Sequence, residues 1–176
     1  VQTCALPISD LLHKTDAGGV VLGVATQADA AETFTAMTHR VGQASGVALD
    51  GIWVERMAEP AGVDLVVGAK RDPTFGPVIL IGVGGVFVEI LDDVVLAPVP
   101  TDPRHLAALM RTLRAYPLLA GARGREPVDC DAVAAIAVRL GDLLVAHPEI
   151  VEVEINPLRA SAAGALALDA RIVRGA

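Results

Sequence analysis

Alternating and uninterrupted runs of hydrophobic residues along the chain predict a set of short strands. The runs lie in the segments VVLGVAT, DGIWVERM, VDLVVGAK, VILIGV, VFVEIL, VVLAPV, IVEVEINPL and ALALDARIV. The segment RDPTFGP supplies turn residues between two of them. Strands in hairpin order, mixed with helices, favour an α+β domain over a parallel doubly wound sheet.

Helical spacing of apolar residues predicts three helices between these strands. Residues 29–44 predict a helix that Asp29 caps. A second helix begins at TDP with Asp102 as its cap, and a third covers residues 129–146. The residues predicted to be buried on the first two helices are Phe34, Met37 and Val41, and Leu106, Leu109, Met110 and Leu113.

The last two predicted strands form a hairpin whose polar residues share one face. Alternation in VEVEIN puts Glu152, Glu154 and Asn156 on the face opposite its apolar residues. The segment SAAG predicts the hairpin turn, with its glycine at a position of positive φ. In that register Asn156 faces Asp169 and Glu154 faces Arg171.

Carboxylate and amide oxygens on this face predict a magnesium site. Mg²⁺ takes few protein ligands and completes its octahedron with phosphate oxygens and water. Glu154, Asn156 and Asp169 are therefore the candidate metal ligands. The alternative is an ordinary solvated hairpin face, and periodicity alone leaves the two interpretations about equally open.

Composition narrows the functional classes. The chain has 176 residues, is 53% hydrophobic, carries a net charge of -7 and is 3% aromatic. These values exclude the basic stripe and stacking platform of nucleic-acid binders. The longest apolar stretch, PVILIGVGGVFV, falls short of the roughly 20 residues that span a bilayer. Two cysteines without metal or disulfide spacing indicate a reducing cytoplasm.

The first eight residues, VQTCALPI, match the in-frame translation of a common sequencing-adapter read. The chain also lacks an initiator methionine. We therefore exclude residues 1–8 from fold prediction as an adapter-derived artefact, the alternative being a genuine apolar strand. On this interpretation the native chain starts upstream of Ser9.

Three other features are ambiguous when taken singly. The GVGG segment at residues 82–85 fits a strand bulge better than a phosphate loop. Lys70 and Arg71 fit either phosphate ligands or solvated charges beside a turn, and His13 alone fits an ordinary loop histidine.

Taken together, the segments point to one family over nearly the whole chain. LLHKTDAGGVVL, VERM, VDLVVGAKRDPTFGPVILIGVGGVFVEIL, YPLLAGARG, VEINPL and LDARI follow one another in this order. They resemble the ATP-grasp domain of NDP-forming acyl-CoA synthetases of the ADP-forming acetate–CoA ligase type, related to the succinyl-CoA synthetase β subunit. The chain departs from the family at Glu154, where Asp is usual, and at Asp64, where Glu is usual.

The resemblance implies an ATP-grasp fold and a reversible reaction in which acyl-CoA, ADP and phosphate give a carboxylic acid, CoA and ATP through a phosphohistidine. It implies that a phosphohistidine loop on a separate CoA-binding portion visits the ATP-grasp site, and that His13, in HKTD, is a second phosphoryl acceptor. It also implies ATP or ADP and Mg²⁺ as cofactors, and a CoA-binding α portion as partner within an oligomer. The implied nucleotide-binding residues are Glu55, Arg56, Met57, Asp64, Lys70, Arg71, Gly84, Gly85 and Arg171.

Residues 9–176 then correspond to part of an ATP-grasp domain, its C-terminal lobe with the end of its N-terminal lobe. Because ATP-grasp sites hold the nucleotide between two lobes, we expect this chain alone to have little or no activity. The alternative function is a regulatory acyl-CoA-synthetase-like domain of a protein lysine acetyltransferase. Intact HKTD, EINP and LDAR favour the enzyme, since a ligand sensor needs no acceptor histidine.

Overall fold

The computed structural model describes residues 2–5, 18–45, 51–59, 61–84 and 93–175, without the side chains of residues 2–5 and 43–45. The chain forms two compact units, Val1–Glu59 and Pro60–Ala176. No helix among the described residues is both long enough and apolar enough to cross a membrane.

The first unit contains a three-stranded antiparallel sheet and one helix. The strands are β1 (Gln2–Ala5), β2 (Val20–Val24) and β3 (Trp53–Arg56), in the order β2-β1-β3. Strand β1 belongs to the segment that we excluded from fold prediction, so part of that segment contributes the central strand. The adapter origin of residues 1–8 stays a prediction.

Helix α1 (Gln27–Ser45) begins earlier than its sequence pattern predicts. The Thr26 N–H donates to Asp29 Oδ2 at 2.9 Å, and the Asp29 N–H donates to Thr26 Oγ1 at 3.1 Å. This reciprocal pair is a capping box, so the cap is Thr26 and the prediction of Asp29 was wrong by three residues. The side-chain hydrogen bond of Thr26, followed by its backbone N–H, lowers the pKa of the Asp29 carboxyl.

The apolar face of α1 is narrower than predicted. Met37 and Val41 are fully buried and pack with Val24 of β2, as expected. Phe34 is 52% exposed, which contradicts the prediction that it is buried.

The second unit is an antiparallel sheet of six strands with helices against one face. Every strand pair described in it is antiparallel, which agrees with the α+β prediction. The strand order is β6-β5-β4-β7-β8, and β9 also pairs with β7. Its elements are β4 (Val63–Asp72), β5 (Gly76–Val83), β6 (Val94–Pro98), α2 (Pro103–Met110), α3 (Tyr116–Leu119), a 3₁₀ turn (Ala122–Gly124), α4 (Cys130–Ala146), β7 (Ile150–Ser161), β8 (Gly164–Ala167) and β9 (Ala170–Arg174).

Helix α2 begins at its predicted cap, and α4 begins one residue after the predicted start, with Asp129 as its cap. Asp102 Oδ1 accepts from the His105 N–H at 3.0 Å, and Asp129 Oδ1 accepts from the Ala132 N–H at 2.9 Å. The predicted stripe of α2 is confirmed, because the core against the sheet contains Leu106, Met110 and Leu113, with Leu109 partly buried.

The turn between β4 and β5 is the one that its sequence predicts. Asp72 Oδ1 accepts the N–H groups of Thr74 at 2.8 Å and Phe75 at 2.9 Å, and Gly76 has a φ of 73°. These hydrogen bonds, first that from Phe75, lower the pKa of the Asp72 carboxyl. The turn fixes the register of β4, which carries several candidate site residues.

Candidate functional site

The sheet of the second unit has two chemically different faces. On β4, Leu65, Val67 and Ala69 join the core that packs against the helices. Because side chains alternate along a strand, Lys70 lies on the opposite face. There it pairs with Glu152 across β4 and β7. We call this second face, which carries Lys70, Glu152, Glu154 and Arg171, the polar face.

Three charged side chains meet on the polar face. Lys70 Nζ lies 3.5 Å from Glu152 Oε2, and Arg171 Nη2 donates to Glu152 Oε1. The predicted backbone register is confirmed, with Glu154 opposite Arg171. The side chains do not follow this backbone pairing, because the Arg171 guanidinium bonds to Glu152 and not to Glu154. Sequence alternation placed Glu152 on this face, but nothing in the sequence marked it as the common partner.

Arg71 lies on the other side of the sheet from Lys70. Its guanidinium donates to the carbonyl oxygens of Leu144, of His147 at 3.3 Å and of Ile150 at 3.2 Å. These carbonyls belong to the end of α4 and the start of β7, where a cation also compensates the negative helix terminus. Arg71 therefore ties α4 to the sheet, and we do not retain it as a nucleotide-binding residue.

Because Lys70 and Arg71 lie on opposite faces of the sheet, we predict that replacing them has different effects on stability. We expect Arg71→Ala to lower the free energy of unfolding by about 2–3 kcal/mol, because it removes charge-assisted hydrogen bonds to three carbonyls. Lys70→Ala is expected to change it by less than about 0.5 kcal/mol, since the Lys70 side chain is 74% exposed. Denaturant unfolding followed by circular dichroism measures both. Equal losses in the two variants would contradict the assignment of Arg71 to the fold.

Asp64 forms a bidentate ion pair with Arg159, its register partner on β7. Arg159 Nε lies 2.5 Å from Asp64 Oδ1, and Nη2 lies 3.0 Å from Oδ2. The hydrogen bond with Asp64 raises the pKa of the Arg159 guanidinium. The sequence analysis did not identify Arg159. A nucleotide that contacts Asp64, as predicted, would have to share the Asp64 carboxylate with Arg159.

The predicted metal ligands Asn156 and Asp169 lie next to each other. The register between β4 and β7 shifts at residues 156–157, which form a bulge. The Asn156 N–H donates to the Asp169 carbonyl at 3.1 Å, and the Leu168 N–H donates to the Pro157 carbonyl at 3.0 Å. These two bonds hold the connection between β8 and β9 against the bulge, with the side chains of Asn156 and Asp169 both exposed.

This connection corrects one sequence expectation. The segment ALALDARIV was predicted as one strand, but it forms β8 and β9, separated at residues 168–169. Alternation therefore fails, and Leu166 is 54% exposed. The predicted SAAG turn is confirmed, since Ser161 pairs with Gly164, whose φ is 125°. The break leaves Asp169 outside a strand, beside the bulge.

The donor set fits a hard cation with few protein ligands. It combines an amide oxygen of Asn156 with a carboxylate of Asp169, and Glu154 lies two residues before Asn156. Within the described ranges, no three His, Cys, Asp or Glu side chains come together as a metal site. The magnesium site thus stays a prediction that rests on a small, exposed set of oxygen atoms.

Gly82 and Gly84 do not form the bulge that the GVGG segment predicts. Strand β5 pairs in continuous register with β4 and β6, so the bulge interpretation was wrong for its described part. A Cβ on Gly84 would lie 2.8 Å from the Leu65 carbonyl carbon, and the Gly84 N–H donates to the Asp64 carbonyl at 2.7 Å. Gly84 therefore permits close approach of two backbones, and its nucleotide contact stays a prediction.

Three of the remaining predicted residues belong to the first unit, and two lie outside the described residues. Glu55 and Arg56 are exposed on β3, and Met57 follows them half-buried, all in the first unit. His13 and Gly85 lie outside the described residues.

Comparison with known proteins gives a consistent result. A family model described as an ATP-grasp domain matches residues 5–173. The β subunit of ADP-forming acetate–CoA ligase I from Pyrococcus furiosus is 42% identical over 164 residues, which are 93% of this chain and 70% of that protein. ADP-forming acetate–CoA ligase I from Archaeoglobus fulgidus is 37% identical over 166 residues, which are 94% of this chain and 24% of that protein. The chain therefore spans most of one relative and about a quarter of the other.

Solved structures agree with these sequence matches. Dinucleotide-forming acetyl-coenzyme A synthetase 1 of Ca. Korarchaeum cryptofilum, in complex with coenzyme A, Ca-AMPCP and HgCl+, has a TM-score of 0.94 and 34% identity. The match covers 99% of this chain and 76% of that one. A structure of the same protein with coenzyme A and Mg-AMPPCP, whose phosphohistidine segment points towards the nucleotide binding site, has a TM-score of 0.85 and 32% identity. That match covers 98% of this chain and 76% of the other.

Proposed function

We propose that this chain, which belongs to the ATP-grasp domain family and groups with the β subunits of ADP-forming acetate–CoA ligases, supplies the nucleotide-binding, phosphoryl-transfer part of an ADP-forming acyl-CoA synthetase. One observation carries the proposal for this chain's own residues. The polar face presents two cations, Lys70 and Arg171, on the sheet whose strand β7 and β8–β9 connection carry the candidate oxygen ligands Asn156 and Asp169.

In the proposed reaction, phosphate displaces CoA from acyl-CoA and forms an acyl phosphate. A histidine attacks the phosphorus, which releases the carboxylic acid and leaves a phosphohistidine. ADP then accepts the phosphoryl group and becomes ATP, while the histidine returns to its neutral state. Phosphoryl transfer asks the protein mainly for positioning and charge compensation, which charged and polar groups on a rigid sheet can supply.

The cations of the polar face suit the phosphate chain of the nucleotide. The Lys70 ammonium and the Arg171 guanidinium can donate hydrogen bonds to phosphate oxygens and reduce the repulsion between them. Both are more than half exposed, at 74% and 52%. Lys70 and Arg171 would therefore bind and orient the phosphates. Their strands, β4 and β9, both pair with β7, which fixes the positions of their backbones.

Asn156 and Asp169 would hold Mg²⁺ in this proposal, with Glu154 as a further ligand. The fit rests on their oxygen atoms, their exposure and the two backbone hydrogen bonds that keep the bulge beside the β8–β9 connection. A bound Mg²⁺ neutralises phosphate charge and fixes the geometry of the phosphate oxygens.

His13 would act as a second phosphoryl acceptor, beside the phosphohistidine of the CoA-binding portion, as the resemblance implies. The partner would be a CoA-binding α portion, in the same chain or a separate subunit of an oligomer. The name of the Pyrococcus furiosus relative, a β subunit, supports a divided enzyme of this kind. We place the protein in the cytoplasm, since its cysteines lack disulfide spacing.

The test is a coupled assay on the complete protein with its α portion. Acyl-CoA, ADP, phosphate and Mg²⁺ are expected to give ATP and free CoA in a one-to-one ratio, and removal of Mg²⁺ with EDTA is expected to stop both. Binding of nucleotide or acyl-CoA without any turnover would contradict the synthetase and favour the regulatory alternative.

A further inference from the structure

Glu152 links the two cations of the polar face. One of its carboxylate oxygens accepts from Arg171, and the other lies 3.5 Å from the Lys70 ammonium. The Glu152 side chain is 22% exposed, whereas both cations are more than half exposed. A comparatively buried carboxylate thus holds two longer side chains whose charged ends reach solvent.

The strand order explains why Glu152 can contact both cations. Strand β7 lies between β4 on one side and β9 on the other. Lys70 is the direct register partner of Glu152 on β4, whereas Arg171 pairs with Glu154 and reaches Glu152 diagonally. Long side chains contact diagonal neighbours in antiparallel sheets at this spacing.

We propose that Glu152 is a positioning residue of the nucleotide site, which holds Lys70 and Arg171 in place for the phosphate chain. This inference rests on the proposed function and adds to it a residue that the site prediction did not include. An ammonium has three N–H donors and a guanidinium has five, so each cation keeps donors for phosphate after bonding to Glu152. The two carboxylates of the polar face, Glu152 and Glu154, balance its two cations, so the remaining N–H donors, and not a net charge, would bind the phosphate chain.

A carboxylate that competes with phosphate for the two cations would change the nucleotide affinity in the opposite direction. If Glu152 instead competed with phosphate for the two cations, its neutralisation would strengthen nucleotide binding. If it positions them, its neutralisation frees Lys70, restores repulsion between the two cations and weakens binding. The sign of the change in affinity therefore separates the two roles.

The experiment measures binding of Mg-AMPPCP to the complete protein by calorimetry at fixed ionic strength. We expect Glu152→Gln to raise the Kd by about tenfold. Glu152→Asp keeps the charge on a shorter side chain that cannot reach both cations, and should give an intermediate Kd. Glu149→Gln is the matched control, because Glu149 pairs with His147 and should leave the Kd unchanged.

A double-mutant cycle tests whether Glu152 acts through Lys70. Lys70→Ala is expected to weaken binding less in the Glu152→Gln background than in the wild type. Additive effects, or an unchanged or lower Kd in Glu152→Gln, would overturn the positioning role. If Glu152→Gln fails to fold, as thermal unfolding would show, a wild-type Kd in Glu152→Asp would overturn it. Absence of Mg-AMPPCP binding by the wild-type protein would instead contradict the proposed function.

Discussion

Replacing Asn156 or Asp169 with alanine is expected to abolish Mg²⁺-dependent phosphorylation of the complete protein by ATP, a loss of roughly a hundredfold or more. The physical reason is that each substitution removes an oxygen donor from a set with few protein ligands. Transfer of labelled phosphate from ATP to the protein measures the effect.

The fold should survive both substitutions. The hydrogen bonds that hold the β7 bulge to the β8–β9 connection use backbone atoms of Asn156 and Asp169, which alanine retains. Both side chains are exposed, so neither substitution opens a cavity. Ala162→Ser, in the exposed hairpin turn, controls for disturbance of the hairpin. If the variants lose much of their folded fraction while the fraction that still folds has normal activity, Asn156 and Asp169 are structural residues.

His13 is expected to carry a phosphoryl group during turnover. The complete protein incubated with ATP and Mg²⁺ should become an acid-labile, base-stable phosphoprotein, with part of the label in the HKTD peptide. His13→Ala should remove that part of the label. His13→Asn should do the same, because an amide can reproduce a hydrogen bond of the ring but cannot act as a nucleophile.

The asparagine variant separates two roles for His13. If the side chain merely orders the turn before Gly18 and Gly19 or donates a hydrogen bond to phosphate, His13→Asn should retain substantial turnover. Turnover at the wild-type rate in this variant would exclude the acceptor role. The assignment of the chain to the ATP-grasp family would stand in either case.

Local patterns predicted the features that local chemistry determines. Asp102 caps its helix as predicted, because a cap needs only its own hydrogen-bond acceptor and the next few N–H groups. The SAAG turn and the pairing of Glu154 with Arg171 follow from a two-residue loop that fixes the register. These features require no knowledge of distant residues.

The predictions were wrong where contacts with distant residues determine the position of a side chain or the end of a strand. Lys70 and Arg71 are adjacent basic residues, but alternation sends them to opposite faces, and α4 gives Arg71 carbonyl partners more than 70 residues away. The bulge at Asn156 and the break at Asp169 end the alternation that predicted one continuous strand. The reach of Arg171 to Glu152 depends on side-chain length, which register alone does not give.

The most direct test locates the metal beside Asn156 and Asp169 and the nucleotide on the polar face. Crystals of the complete protein grown with Mn²⁺ in place of Mg²⁺ and with AMPPCP allow the metal to be found by its anomalous scattering. We expect one anomalous peak within coordination distance of Asn156 and Asp169, with phosphate oxygens hydrogen-bonded to Lys70 and Arg171. A peak and phosphates bound elsewhere, with these four side chains in contact with neither, would contradict the account.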